Sequence, residues 1–317
     1  MTPRLAILPA ESSRARRLTT CRPTGCAPSA ARAKTTLNPC DCSPAARRRL
    51  KHCLDKIYAR YNRRELIPPD PLQFVYRYSD RADREIAGFL AAVLAYGRVQ
   101  QIEKSVERLL GRMGPHPAAF VRAFNGSKRR ALADFRHRFN SGDDVADLLV
   151  LLQKVLADCG SLEAYFTRGF SARHATIAPA LAGFCDSLLA EHARRNRGVI
   201  PPGLKYLLSS PTGKSACKRL NLFLRWMVRS DAVDPGLWKS VPAAKLLVPL
   251  DVHMSRISFA LNLCKPQNIS LRTAIEVTEA FGCIYPDDPV RYDFALCRAG
   301  MLNDDQARLE LERICDR

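Results

Sequence analysis

Two apolar stripes of helical period, parted by a single glycine, constrain this chain more than any other stretch. In DREIAGFLAAVLAYG, the residues Ile86, Phe89, Leu90, Val93 and Leu94 recur at helical intervals. In VQQIEKSVERLLGRMG, Val99, Ile102, Val106, Leu109, Leu110 and Met113 form one face, with charges on the other. Gly97 divides the two segments, and Gly114 with Pro115 stops the second. The same period predicts a helix from Pro44 carrying Leu50, Leu54, Ile57, Tyr58 and Tyr61, and further helices over 143–158, 161–167, 176–195 and 270–281. A last helical block is DPVRYDFALCRAG, and PPDPLQFVYRY reads as extended because its prolines bar regular helix. No strand-period segment exceeds a few residues and no repeat of fixed period is present, so the fold class is all-α.

Residues 1–43 are rich in Arg, Ala, Ser, Thr and Pro and lack apolar periodicity, which predicts a disordered basic tail ahead of a helical region over 44–317. The tail also has the composition of an organellar transit peptide, so targeting stays open beside a cytoplasmic location. No uninterrupted apolar run is long enough to span a bilayer, and no membrane partner is expected.

The formal net charge is +19, and residues 1–52 hold 11 Lys/Arg against 2 Asp/Glu, leaving +10 on the rest. An excess that survives removal of the tail points to a polyanion, and double-stranded DNA is the expected partner, with no stable protein partner. A basic surface kept for solubility is the alternative. Twelve cysteines are present without a CxxC pair, and Cys185, Cys217, Cys264 and Cys297 fall inside apolar helical patterns, where a small reduced thiol packs well. The scattered histidines lack ligand spacing, so neither metal nor cofactor is expected. Asp83 and Glu85 read as caps and surface charge.

The chemistry concentrates in residues 203–265. There LSSPTGKSACKRLNLFLRWMVR is a turn feeding a helix that carries Lys218, and VPLDVHMSRISFALNL opens a second helix on Asp251. A lysine held against an apolar surface has its ammonium form disfavoured and gains nucleophilic amine, whereas a snorkelling lysine keeps its head in solvent or on a phosphate. Asp251 stands at an N-cap position, where free backbone amides stabilise its anion, and such a carboxylate can also stabilise positive charge on a sugar.

These segments resemble a family. VPLDVHMSRI is similar to the aspartate-bearing segment of helix-hairpin-helix DNA glycosylases, and GKSACKRLNLF to the turn and lysine of their bifunctional members. The resemblance implies a two-lobed helical fold, Lys218 as Schiff-base lysine, Asp251 as catalytic aspartate and His253 beside DNA phosphate. FLAAVLAYGRVQQIEKSVERLLGRMG is similar to the paired helices whose junction reaches the minor groove, which makes Arg98, Gln100 and Gln101 candidates to fill the gap left by an extruded base. YDFALCRAG is similar to the closing helix. Gly213, Lys214, Arg219 and Arg256 are candidate phosphate contacts, with Arg225 a further one. The implied activity is excision of an oxidised purine with an associated lyase step; a non-catalytic nucleic-acid-binding scaffold is the alternative. Two departures stand out: the hairpin keeps only Gly213 where the family has several glycines, and SDAVDPGLWKSVPAAK lengthens the path from Lys218 to Asp251. The whole chain, including DPLQFVYRY, also looks like an uncharacterised bacterial family of unknown function.

Overall fold

The computed structural model describes residues 43–265 and 268–302, and the expected disordered tail up to residue 42 lies outside the described residues. The described chain is all-α apart from one two-residue hairpin. In order, the helices are α1 (Pro44–Tyr61), α2 (Arg81–Val93), α3 (Val99–Met113), α4 (Pro117–Arg122), α5 (Gly126–Arg130), α6 (Gly142–Cys159), α7 (Leu162–Thr167), α8 (Ala178–Arg195), α9 (Pro202–Leu207), α10 (Lys218–Val228), α11 (Val252–Ala260), α12 (Leu271–Gly282) and α13 (Asp293–Met301). None of them is long and apolar enough to cross a membrane. The PLQFVYR segment, expected to be extended, is a 3-10 helix, Pro71–Arg77. Its proline occupies the first turn, where no amide is needed, and the Asp70 side chain accepts the Leu72 amide.

Helix α2 is the hub. Asp80 caps it by accepting the amides of Ala82 and Asp83, and from Ile86 to Leu94 every side chain is buried. Gly88 permits close packing, because a Cβ there would stand 3.0 Å from Met227 Cε of α10 and 3.1 Å from Val75 Cγ2. Phe89 meets Phe223 of α10 edge to face at 5.2 Å.

Two acids expected on the surface lie inside instead. Glu85 is 2% exposed and accepts the amides of Leu162 (2.8 Å) and Glu163 (3.0 Å) at the start of α7, together with the Trp238 indole N–H (2.7 Å). Asp83 accepts the Ala118 amide at 2.8 Å in α4. Both therefore cap helices far away in sequence. The stretch between α10 and α11 is packed into the fold: Val233, Asp234, Trp238 and Val248 are buried, and Arg225 and Arg229 of the α10 end pair with Asp231, Asp234, Asp288 and Asp293. That network consumes Arg225, which is not available to phosphate. Cys185, Cys217 and Cys264 are buried free thiols, but Cys283 is disulfide-bonded, against the expectation of reduced thiols.

Strands β1 (Arg136–His137) and β2 (Asn140–Ser141) pair antiparallel around the two-residue turn Arg138 and Phe139. Ser141 then caps α6 in a reciprocal box with Asp144. Gly142 is required there, since a Cβ would fall 1.8 Å from the Leu132 carbonyl oxygen.

Candidate functional site

Between α9 and α10 the chain makes a 3-10 turn, Pro211–Gly213, capped by Ser210. It then takes two left-handed residues, Lys214 (φ 60°) and Cys217 (φ 48°), neither of them glycine. Gly213 itself has no left-handed backbone, and a Cβ on it would meet nothing within 4 Å, so the conformational freedom of glycine goes unused. The Lys214 carbonyl accepts the Leu271 amide at 3.0 Å, tying the turn to α12. The Cys217 thiol donates to the Ser209 carbonyl at 3.2 Å, and burial pushes it up to about 11, so it is no thiolate at neutral pH. This geometry delivers Lys218 as the first residue of α10.

Asp251 ends an extended segment and caps α11: its Oδ1 accepts the Met254 amide at 2.8 Å. Its Oδ2 stands 2.9 Å from Lys218 Nζ, with the lysine side chain 38% exposed and the aspartate 25%. Capping and pairing are thus simultaneous. Burial opposes both charges. The Lys218 ammonium is nevertheless held above the ordinary lysine value by the adjacent carboxylate, and Asp251 below the ordinary carboxylate value by Lys218 and the Met254 amide. The expectation that apolar contacts would weaken the ammonium is therefore reversed, because the carboxylate expected in the same site is its direct counter-ion.

Both side chains line one cleft of about 520 Å³, together with His253, Arg219, and Tyr96 and Gly97 from the junction of α2 and α3. Arg219 reaches it from below and departs from its expected phosphate role. It is 9% exposed, donates to the carbonyls of Val93 and Tyr206, and stacks 4.1 Å over the Tyr206 ring, with burial lowering its pKa. Arg98, Gln100, Gln101, Gly213, Lys214 and Arg256 are exposed and lie outside the cleft lining. Gln101 is turned back along its own helix, donating to Ser105 Oγ at 3.1 Å.

Behind the Lys218–Asp251 pair lies a smaller cavity of about 50 Å³, lined also by Asp293, Arg225, Cys297 and Arg298. Among the described residues, Asp293 Oδ1, Arg225 Nη2 and Arg298 Nε are buried without a hydrogen-bond partner. Burial pushes Asp293 upward while Asp251 is held down, so two neighbouring carboxylates have opposite proton affinities. Sequence reading missed Asp293, because an acid opening a helix looks like a dipole partner. It also missed the aromatic rim of Tyr96, Tyr206 and Phe139. Residues 136–141 are too short to carry a strand period, and at the YG junction only the polar neighbours carry a recognisable signal. Among the described residues, no group of three or more His, Cys, Asp or Glu is placed to hold a metal ion.

The chain matches the family described as "Protein of unknown function (DUF2400)" over residues 70–302, and it belongs to that family. The matched span contains every lining residue of the cleft except Pro69, all of the cavity behind it, and every candidate residue named above. No curated protein and no solved structure matches the chain.

Proposed function

We propose that this protein is a DNA base-excision glycosylase of helix-hairpin-helix type, with Lys218 supplying an abasic-site lyase step and an oxidised purine as the excised base. The observation that carries the reading is the 2.9 Å contact between Lys218 Nζ and Asp251 Oδ2 in one open cleft, between residues far apart in sequence that fall on the resembled positions.

Lys218 must first surrender a proton, and Asp251 is the base within reach. Nζ then bonds to the sugar C1′ as the glycosidic bond breaks, its electron pair leaving with the base, which takes up the proton. Asp251 stabilises the positive charge that develops on the sugar. Ring opening passes an amine proton to O4′ and leaves an iminium; loss of a C2′ proton to the Asp251 carboxylate then breaks the C3′–O bond, and the 3′-phosphate leaves with that electron pair. The cleft, at about 520 Å³, has room for one extruded base.

The raised Lys218 favours a rival reading in which the pair clamps α10 to α11 in a protein that only binds nucleic acid. Borohydride trapping on duplexes bearing 8-oxoguanine or an abasic site separates the two. Wild type is expected to form a covalent adduct, Lys218→Gln to form none, and Asp251→Asn to bind duplex without releasing base. Duplex binding by wild type with neither adduct nor free base would leave only the clamp.

A further inference from the structure

We infer that Phe139, at the tip of the β1–β2 hairpin, inserts between base steps of duplex DNA beside the cleft. The inference rests on the DNA reading above but not on any chemistry at Lys218.

Phe139 is 58% exposed, the most exposed aromatic residue among the large apolar side chains left uncovered in the described chain. Its ring is braced from beneath by Tyr206, edge to face at 4.6 Å, and by Tyr96, tilted at 5.4 Å. Both of those tyrosines line the cleft that holds Lys218 and Asp251. An apolar ring thus stands at the rim of the space into which an extruded base would turn. Extrusion leaves a gap in the stack, and an apolar wedge between base steps fills it.

The hairpin is built to hold that ring still. The Tyr96 hydroxyl donates to Asn140 Oδ1 and stands 3.1 Å from the His137 carbonyl. The His137 ring is fully buried: one nitrogen donates to the Tyr96 carbonyl at 3.2 Å and the other accepts from Ser105 Oγ at 2.8 Å. Burial lowers its pKa, which keeps the ring neutral in that role. Arg138 is left-handed at φ 52°, and its side chain lies over Gly97, where a Cβ would stand 2.9 Å from Arg138 Cδ. Such anchoring is a poor fit to a random surface aromatic and a good one to an insertion element, whose ordering cost must be met before binding.

The charges around the tip suit a polyanion. Arg136, Arg138, Arg98 and Lys205 are exposed on the hairpin, the junction and α9. The nearest exposed acid before the hairpin, Asp134, is already paired with Arg108 and Arg112. Phosphates on either side of an opened step would meet cations, while the ring meets bases.

The test uses the full chain and a duplex carrying a tetrahydrofuran abasic analogue beside 2-aminopurine, which Lys218 cannot attack. Wild type is expected to bind and to change the 2-aminopurine fluorescence as stacking is broken. Phe139→Ala should lose about tenfold in affinity and lose the fluorescence change, with an unaltered dependence on salt, since no phosphate contact is removed. Phe139→Trp should restore both. Thermal melting of Phe139→Ala at the wild-type midpoint would show that the fold is intact. Wild-type affinity in Phe139→Ala, a fluorescence change that survives its weaker binding, or no binding by wild type would each overturn the inference. Phe139-dependent binding without any borohydride adduct on a reactive abasic site would remove the lyase reading and leave the insertion standing.

Discussion

Asp251 uses its two carboxylate oxygens for different purposes, one on the Met254 amide and one on Lys218. Asn keeps the capping oxygen and discards the charge, so Asp251→Asn isolates the pair from the cap. Asp251 is depressed below the ordinary carboxylate value, so its contribution is fully present above pH 3.8 and is lost as pH falls through the lower folded value. Lys218 is raised, so its share is present up to pH 10.5 and is lost as pH rises through the higher folded value. Between those limits the substitution should cost about 1 kcal/mol or less, because the pair is partly solvated. Urea denaturation should show that difference at neutral pH and its disappearance in strong acid. Lys218 should meanwhile become the more reactive amine in Asp251→Asn, read by aldehyde labelling and peptide mapping. A rate equal to wild type would mean that Asp251 does not govern the lysine. Both residues were legible in the sequence, because a lysine opening one helix and an aspartate opening the next are local patterns. That they share one site followed only from the family resemblance, and their direct ion pair did not follow at all, since no local pattern encodes a contact across the segment between them.

Helices α2, α3, α6 and α8 were readable because an apolar stripe survives whatever packs against it. Most of the short elements were not, although α7 was expected over 161–167. Helices α4, α5 and α9 have 5 or 6 residues each, under two turns, and the hairpin has two-residue strands, so none repeats its pattern. The packing of the segment between α10 and α11 is hidden from sequence for another reason: Asp234 is buried by pairing with Arg225 and Arg229, Asp231 is largely covered by Arg229, and a charged sequence does not show its partners. The hairpin joins α6 through Gly142, whose absent Cβ leaves room for the Leu132 carbonyl. Gly142→Ala should therefore push the α6 start from the preceding turn and cost about 1–3 kcal/mol. A lowered melting temperature, together with faster amide exchange at residues 136–141, is the expected result. Unchanged melting would mean that the turn before the hairpin yields freely.

Net charge alone overstates how much of this molecule can face a polyanion. Arg219, Arg225, Arg229 and Arg298 are all at most 9% exposed, and each has internal partners: Arg219 and Arg298 donate to main-chain carbonyls, while Arg225 and Arg229 pair with aspartates. Those cations hold α2, α10, α13 and the segment after α10 together, and a cation so employed releases no counter-ion from DNA. Lys214 and Arg256 are exposed and remain candidates for phosphate. Binding to duplex should therefore weaken with salt, and removing one true phosphate contact should reduce the slope of log K against log salt by about one. Lys214→Gln and Arg256→Gln are expected to lower the slope with little effect on melting. Arg219→Gln should do the reverse: it leaves the slope unchanged while lowering the melting temperature, because it strips donors from the Val93 and Tyr206 carbonyls beneath the cleft. A reduced slope in Arg219→Gln at unchanged stability would move that guanidinium out of the core and into the DNA interface. The pairing of slope and melting thus sorts each basic residue into scaffold or contact, a distinction that the +19 total cannot make.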